Sequence, residues 1–306
     1  MRHLLTGPGD AGAGLSSRVG TARTAAEAAA GASGVSVREL RALSELRRAC
    51  DLIDQTWSPD GQEPLISVSM LRALVHVGNY VAGAFLGNRL VGAAVAFRGD
   101  RGGVLELHSH ITTVTDDMRG RNVGFALKLH QRYWALRRSL PTITWTFDPL
   151  ACRNAFFNLV KLGAQPVEYL PNFYGAMADG INAGDDSDRL LVEWRLDEPR
   201  VRRACTGALQ DWNVDALRAE GAVIGLDADP QGLPLAGESS GRVVLVRVPP
   251  DIEWLRREQN VSARAWRRAV REALGGLMTE GAVVGFARSG WYVVDRTDPD
   301  ARRAVP

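Results

Sequence analysis

Three side chains that can take up a proton alternate along one short apolar segment of the sequence. The segment "VLELHSHITTV", residues 104–114, carries Glu106, His108 and His110 at every second position. If the segment is a strand, these side chains project from the same face. A neutral imidazole accepts protons near pH 7, and a carboxylate can also act as a base, so each of the three is a candidate general base, with His110 first and Glu106 next. The structural alternatives are an arginine pair for Glu106 and a core position for one histidine.

The same spacing could also bind a metal, because two histidines at positions i and i+2 of a strand can chelate zinc. A third or fourth ligand is not evident in the sequence. The three cysteines, Cys50, Cys152 and Cys205, are too widely spaced for a metal motif or a disulfide framework. We therefore assign no metal and keep zinc as the alternative for this segment.

A second segment with chemical potential is "VTDDMRGRNVGFALKLHQ", residues 114–131, in which a strand end, a turn and a helix follow one another. Glycines at the start of a helix can simply provide the backbone angles of a turn. They can also form a cradle for phosphate, because the free N–H groups and the positive dipole at a helix N-terminus attract anions. The expected cradle residues are Val114, Arg119, Gly120, Arg121, Asn122, Val123, Gly124, Phe125 and Ala126.

The elements that must position these residues follow from hydrophobic periodicity and turn signals. Helices are predicted over 41–57, 67–78, the stretch from the turn to about 138, and 152–163. Strands are predicted over 35–40, 80–99 as a hairpin turning at Gly87-Asn88, 104–114, 142–150, 166–177 and 189–196. This order predicts an α+β fold, a mixed sheet covered by helices.

The remaining chain is expected to add a tail and an extension. Residues 1–34 are rich in alanine, glycine and serine and are predicted to be a disordered or partly helical tail. After a domain over 35–196, residues 197–240 read as irregular, followed by a strand at 243–249, a long helix over 251–278 and a hairpin at 282–296. That helix has more apolar surface than one hairpin can cover, so we expect the extension, 197–306, to pack on the preceding domain.

The composition and charge of the chain do not indicate a nucleic-acid-binding or membrane protein. The chain has 306 residues, of which 45% are hydrophobic and 24% are charged, with a net charge of +2. This balance gives no support for nucleic acid or membrane binding. No apolar run reaches the length of a membrane span, and residues 1–34 lack the apolar core of a secretory signal, so a cytoplasmic location is expected. The oligomeric state is left open, with a homodimer as one alternative.

The order of elements resembles the GNAT superfamily of acyl-CoA-dependent N-acyltransferases. The likeness extends to a bacterial and archaeal branch of predicted acetyltransferases that carries a C-terminal strand–helix–hairpin, and it covers about residues 35–296. The segments that carry it are "LHSH", "LKLHQR", "WTFDPL", "NAFFNLVKLGA", "NFYGAM" and "DSDRLLVEWRL". The superfamily motif Arg/Gln-x-x-Gly-x-Gly/Ala fits in two registers. One runs from Arg119 to Gly124 with Asn122 in place of the middle glycine, and the other runs from Arg121 to Ala126.

The resemblance implies acetyl-CoA or another acyl-CoA as co-substrate, with its pyrophosphate on the turn. It implies pantetheine contacts for Asn154 and Asn158, whose alternative is surface capping. Leu159 stands where the superfamily often has its catalytic tyrosine, which makes Tyr174 the substitute acid. Asp148, near the expected acyl arm, is a further candidate base or a cap of the following turn.

The function that the resemblance implies is acetyl or succinyl transfer to a small amine, with amino acids as one class of acceptor. Arg189 is then a candidate ligand for the acceptor carboxylate, or else a structural partner of Asp186 or Asp188. The alternative function is a non-catalytic GNAT-like module that binds an acyl-CoA or a partner.

Overall fold

The computed structural model describes residues 8–57, 64–175, 185–210 and 212–297. Its contacts divide the chain into two compact units. The N-terminal unit comprises Met1–Ile143 and Arg195–Glu198, and the C-terminal unit comprises Thr144–Trp194 and Pro199–Pro306. This division does not coincide with the predicted boundary after residue 196, and that boundary stays a prediction.

The N-terminal unit is a four-stranded antiparallel arrangement with helices. Its strands are neighbours in the order β1-β2-β3-β4. In chain order its elements are α1 (Pro8–Ala32), β1 (Ser36–Glu39), α2 (Leu43–Trp57), α3 (Val68–His76), β2 (Tyr80–Leu86), β3 (Arg89–Arg101), β4 (Val104–Val114), a 3-10 turn (Asp116–Met118) and α4 (Val123–Leu136). The predicted hairpin is present, and Gly87 adopts the positive φ, 59°, that its turn requires.

Helices cover both faces of these strands. Leu46 and Ile53 of α2 share a buried core with Val81 and Val95. The opposite face is covered by α4. A Cβ atom added at Gly92 of β3 would lie 3.1 Å from the Leu127 side chain and 3.3 Å from the Val123 side chain of that helix. The strand β4 therefore presents its side chains to α2 on one face and to α4 on the other.

Of the two alternatives for residues 1–34, the described part is helical rather than disordered, and it packs on the fold. Residues 8–32 form α1, and Ala22, Ala26 and Ala29 of this helix are buried. The helix packs along α4. The small alanine side chains give little sequence signal for a core, yet they allow two helices to approach closely and bury each other. Residues 1–7 lie outside the described residues.

The C-terminal unit contains the neighbouring strands β5-β7-β6 and a five-stranded sheet in the order β11-β12-β10-β8-β9, in which β8 and β10 are parallel. In chain order its elements are β5 (Thr142–Phe147), α5 (Cys152–Ala155), a π-helical segment (Phe156–Lys161), β6 (Gln165–Leu170), β7 (Arg189–Arg195), α6 (Pro199–Cys205), α7 (Val214–Ala219), β8 (Val223–Ala228), β9 (Pro234–Ala236), β10 (Val243–Arg247), α8 (Ile252–Glu258), α9 (Asn260–Val270), a second π-helical segment (Arg271–Gly275), β11 (Ala282–Ala287) and β12 (Trp291–Asp295).

Two predictions for this unit are corrected. The stretch 197–240 is not irregular, since it holds α6, α7, β8 and β9. These elements are short, and α7 has no buried residue, so their periodicity is weak. The predicted long helix is interrupted at Gln259, whose φ of −143° and ψ of 60° end α8 before α9 begins.

The observed helices and strands confirm the predicted α+β class, and the chain adds a second sheet to the first set of strands. None of the helices within the described ranges combines the length and the apolar character that crossing a membrane requires.

Candidate active site

The turn after β4 is built from two residues in the left-handed region. Gly120 has a φ of 79°, and Asn122, which precedes the first residue of α4, has a φ of 61° and a ψ of 15°. Asparagine is among the few non-glycine residues that adopt this conformation readily. The asparagine in place of the motif's middle glycine is therefore compatible with a tight turn.

The first turn of α4 presents backbone donors without a capping side chain. The side chain of Asn122, the residue before the helix, does not cap these donors. The N–H groups of Val123, Gly124 and Phe125 belong to the helix positions that have no intrahelical acceptor. A Cβ atom at Gly124 would approach only Val114, at 4.0 Å, so the space above this turn is open. Open N–H groups at the positive end of a helix dipole suit a phosphate.

The strand β4 contains a bulge at His110. Ile111 pairs with Val95 and Ser109 pairs with Ala96, so His110 is the extra residue. A bulge bends the strand and redirects a side chain, and bulges are common beside active sites.

Both histidines of β4 surround one aromatic ring. The ring centroid of Phe97 lies 5.3 Å from that of His108 and 5.9 Å from that of His110, and the two imidazoles are 6.4 Å apart. His108 and His110 thus lie on one side of the strand with Phe97.

Burial favours the neutral form of both imidazoles. Burial, followed by the charges of His110 and Lys128, lowers the pKa of His108 to about 4. Desolvation also lowers the pKa of His110, although this side chain keeps access to solvent. A neutral, accessible imidazole can accept a proton, whereas the low pKa of His108 makes it a weak base.

Glu106 forms an ion pair with an arginine, which was the structural alternative to its role as a base. Its Oε2 lies 3.6 Å from Nε of Arg101 on β3. This ion pair is partly exposed, which leaves the proposed role of Glu106 as a base a prediction.

Asp148 is not placed as a base. Its Oδ1 accepts a hydrogen bond from Nη1 of Arg267 at 2.8 Å, and its Oδ2 accepts bonds from Arg267 at 2.9 Å and from Arg256. Burial by itself would raise the pKa of Asp148, but the two arginines outweigh burial and hold that pKa below its ordinary value. Oδ1 also accepts the N–H of Leu150, which is the capping role named as its alternative. A carboxylate so engaged is a poor proton acceptor.

Tyr174 and Arg189 lie together in the C-terminal unit. The Tyr174 hydroxyl is 3.2 Å from Oγ1 of Thr146 on β5, and the Arg189 guanidinium lies 5.3 Å from the Tyr174 ring centroid. Burial lowers the pKa of Arg189. The carboxylates of Asp186 and Asp188, its expected structural partners, bind Arg271. The acid role of Tyr174 and the substrate role of Arg189 stay predictions.

The two asparagines expected to contact pantetheine differ in exposure. Asn154 is exposed, whereas Asn158 is buried in the π-helical segment that follows α5. Such π-helical turns are frequent at functional sites. Leu159, in the usual tyrosine position, is buried and apolar. The pantetheine contacts of both asparagines stay predictions.

Sequence reasoning did not identify Lys128, which lies beneath β4, as a residue of the site. Lys128 of α4 is buried, and its Nζ donates a hydrogen bond to Oγ of Ser109 at 2.8 Å. Its signal in the sequence is composition, because Lys128 and Lys161 are the two lysines among 37 basic residues. Within the described ranges no group of three or more His, Cys, Asp or Glu side chains is placed to hold a metal.

No protein-family model matches the sequence, and no curated protein is significantly similar to it. Among solved structures, the chain is similar to an acetyltransferase of the GNAT family from Streptococcus pneumoniae, with a TM-score of 0.43 and 14% identity over 52% of this chain and 97% of the other. The ribosomal-protein-S18-alanine N-acetyltransferase from Escherichia coli matches with a TM-score of 0.42 and 14% identity over 54% of this chain and 95% of the other. Ard1 from Thermoplasma volcanium matches with a TM-score of 0.40 and 15% identity over 52% and 96%. At these identities the likeness concerns the fold of about half of the chain.

Proposed function

We propose that this protein is an acyl-CoA-dependent N-acyltransferase that transfers an acetyl or succinyl group to a small amine. The observation that carries the proposal is the turn between β4 and α4. Its two left-handed residues, Gly120 and Asn122, lead into uncapped N–H donors, and the strand before it is bulged at a neutral histidine. A phosphate-binding turn directly after a strand that bears a base is what acyl transfer from CoA requires.

The proposed chemistry needs little more than positioning and a base. The amine nitrogen attacks the thioester carbonyl carbon, the C–S bond breaks, and the CoA thiolate leaves. His110 accepts the proton that the amine nitrogen loses. The N–H groups at 123–125 hold the CoA pyrophosphate. These backbone donors and the helix dipole stabilise the negative charge of the pyrophosphate.

The finer assignments belong to the same proposal. Tyr174 is the candidate donor of a proton to the thiolate, since its hydroxyl is partly exposed and bound to Thr146. Arg189 is the candidate ligand for the carboxylate of an amino-acid acceptor. Asn154 and Asn158 are the candidate pantetheine contacts.

Two observations favour a second candidate, a module that binds acyl-CoA without turnover. Leu159 occupies the position of the superfamily's usual tyrosine, and Asp148 is occupied by two arginines. The chain therefore lacks the tyrosine at position 159, and the Asp148 carboxylate is already bound by arginines.

The test combines binding and turnover. Calorimetry with CoA should give binding for the wild type and loss of binding for Gly124→Val, whose added side chain projects into the open space of the cradle. Gly20→Val is the matched control, because Gly20 also lies in a helix with open space around it. Release of free thiol from acetyl-, propionyl- and succinyl-CoA with a mixed amino-acid pool then measures transfer. Binding without thiol release would support the second candidate, and unchanged affinity in Gly124→Val would refute the cradle.

A further inference from the structure

A buried ammonium group supports the strand that carries the histidines. Lys128 is 5% exposed, and its Nζ lies 2.8 Å from Oγ of Ser109 and 3.5 Å from Oε1 of Gln131. Burying an ammonium is costly, and such positions are seldom occupied without a reason. In a chain whose other basic residues, apart from Lys161, are all arginines, a lysine at this position is notable.

The acceptor of this hydrogen bond belongs to the bulge itself. Ser109 directly precedes His110, the extra residue of β4, and pairs with Ala96 of β3. Ser109 faces α4, while His108 and His110 surround Phe97 on the other face. Lys128 therefore ties the back of the bulged strand to α4, the helix whose first turn forms the cradle.

The electrostatic setting is consistent with this arrangement. Burial lowers the pKa of Lys128 to about 7. Its positive charge is one of the causes, after burial and His110, that lower the pKa of His108. Further charged residues on these two strands are Glu106 with its partner Arg101, and Arg98 and Asp100 of β3.

Resting on the proposed acyl transfer, we propose that Lys128 is a positioning residue that holds the β4 bulge through Ser109 and thereby fixes the direction of the His110 side chain. A lysine suits this task better than an arginine. Its compact ammonium can meet one or two neutral oxygens in a closed space, whereas a guanidinium has five donors in a rigid fork. Lys128 touches neither substrate nor cofactor in this role.

A role in positioning and a role in filling space predict different results for Lys128→Met. Methionine keeps the length and flexibility of the side chain and removes the buried charge. Stability should therefore stay equal or increase, while the bulge loses its anchor. If Lys128 only fills space, turnover should not change.

The experiment compares Lys128→Met and Ser109→Ala with Lys161→Met, which removes the other lysine of the chain. We expect Lys128→Met and Ser109→Ala to lower kcat roughly 10- to 100-fold, because a small misplacement of a catalytic group has an effect of this order. CoA affinity and melting temperature should be maintained. The C2-proton titration of His108 should move to higher pH in Lys128→Met, and amide exchange at 109–111 should become faster. Lys161→Met should behave as the wild type.

The nuclear magnetic resonance measurements need no substrate, so they separate this inference from the proposed function. A wild type that neither binds CoA nor releases thiol would refute the proposed function, and unaltered amide exchange and histidine titration in Lys128→Met would refute the positioning role. Turnover of Lys128→Met within twofold of the wild type would refute it as well.

Discussion

Removal of one arginine should destabilise the C-terminal unit strongly. Arg267 of α9 is 1% exposed and donates hydrogen bonds to two carboxylates. Asp148 accepts two bonds from it, at 2.8 and 2.9 Å, and Asp185 accepts two, at 3.2 and 3.1 Å. Arg256 contacts both of the same carboxylates. The cluster connects the end of β5 with α8 and α9, so Arg267→Ala perturbs a contact between segments over one hundred positions apart.

The expected loss follows from the desolvation of the charges that remain. Removing one partner of a buried ion pair costs about 3–5 kcal/mol, because it leaves an uncompensated charge. Arg256 still faces Asp148 and Asp185 in Arg267→Ala, so we expect the lower end, about 3 kcal/mol. Since total stabilities are about 5–15 kcal/mol, this is a large fraction.

Urea denaturation followed by tryptophan fluorescence measures this loss, with Arg268→Ala as the matched control. Arg268 is the next residue of the same helix and is exposed, so its replacement should change the free energy of unfolding by less than about 1 kcal/mol. The double variant Asp148→Asn with Arg267→Met should recover part of the loss, because fewer unpaired charges remain buried. A loss below about 1 kcal/mol in Arg267→Ala would refute the reasoning, since it would mean that water reaches the cluster.

The dependence of the free energy of unfolding on acidic pH provides an independent check on the same cluster. The pKa of Asp148 is held below its ordinary range by two arginines that outweigh burial. Carboxylates with lowered folded-state pKa contribute stability that is present above the unfolded pKa of about 3.9 and is lost as the pH falls through the folded value. Arg267→Ala should therefore make the protein less dependent on pH below about 4, in addition to less stable at pH 7.

Three further predictions concern the rest of the molecule. His110→Ala should lower kcat by about 10²–10⁴-fold with CoA affinity retained, and the limiting ionisation should disappear from its pH–rate profile; an unchanged rate would move the base elsewhere. A chelator should leave the wild-type rate unchanged, and inhibition that added zinc reverses would reassign Glu106, His108 and His110 as metal ligands. A chain that begins at Gly34 should lose about 2 kcal/mol of stability, because the buried methyl groups of Ala22, Ala26 and Ala29 and the surface of α4 beneath them become exposed; an unchanged urea midpoint would contradict the packing of α1.

The sequence by itself determined the elements that depend on local interactions. The hairpin of β2 and β3, the strand β4, the glycine turn before α4 and the hairpin of β11 and β12 were all predicted, because periodicity and turn residues encode them within a few positions. The candidate cradle was likewise predictable, since its left-handed residues and its helix start are neighbours in the chain. The packing of α1 was not, because alanine repeats carry no apolar contrast between one face and the other.

Only the tertiary structure decided how the titratable groups are used. In the sequence Asp148 is a candidate base or a turn cap, but in the fold it accepts hydrogen bonds from two arginines, 108 and 119 positions away. The bulge at His110 exists only in relation to the pairing of β4 with β3, so no pattern within β4 could reveal it. In the sequence, Lys128 is one polar residue of an amphipathic helix. In the fold it is buried beneath β4. In each case the property depends on burial and on partners distant in sequence, which local spacing does not contain.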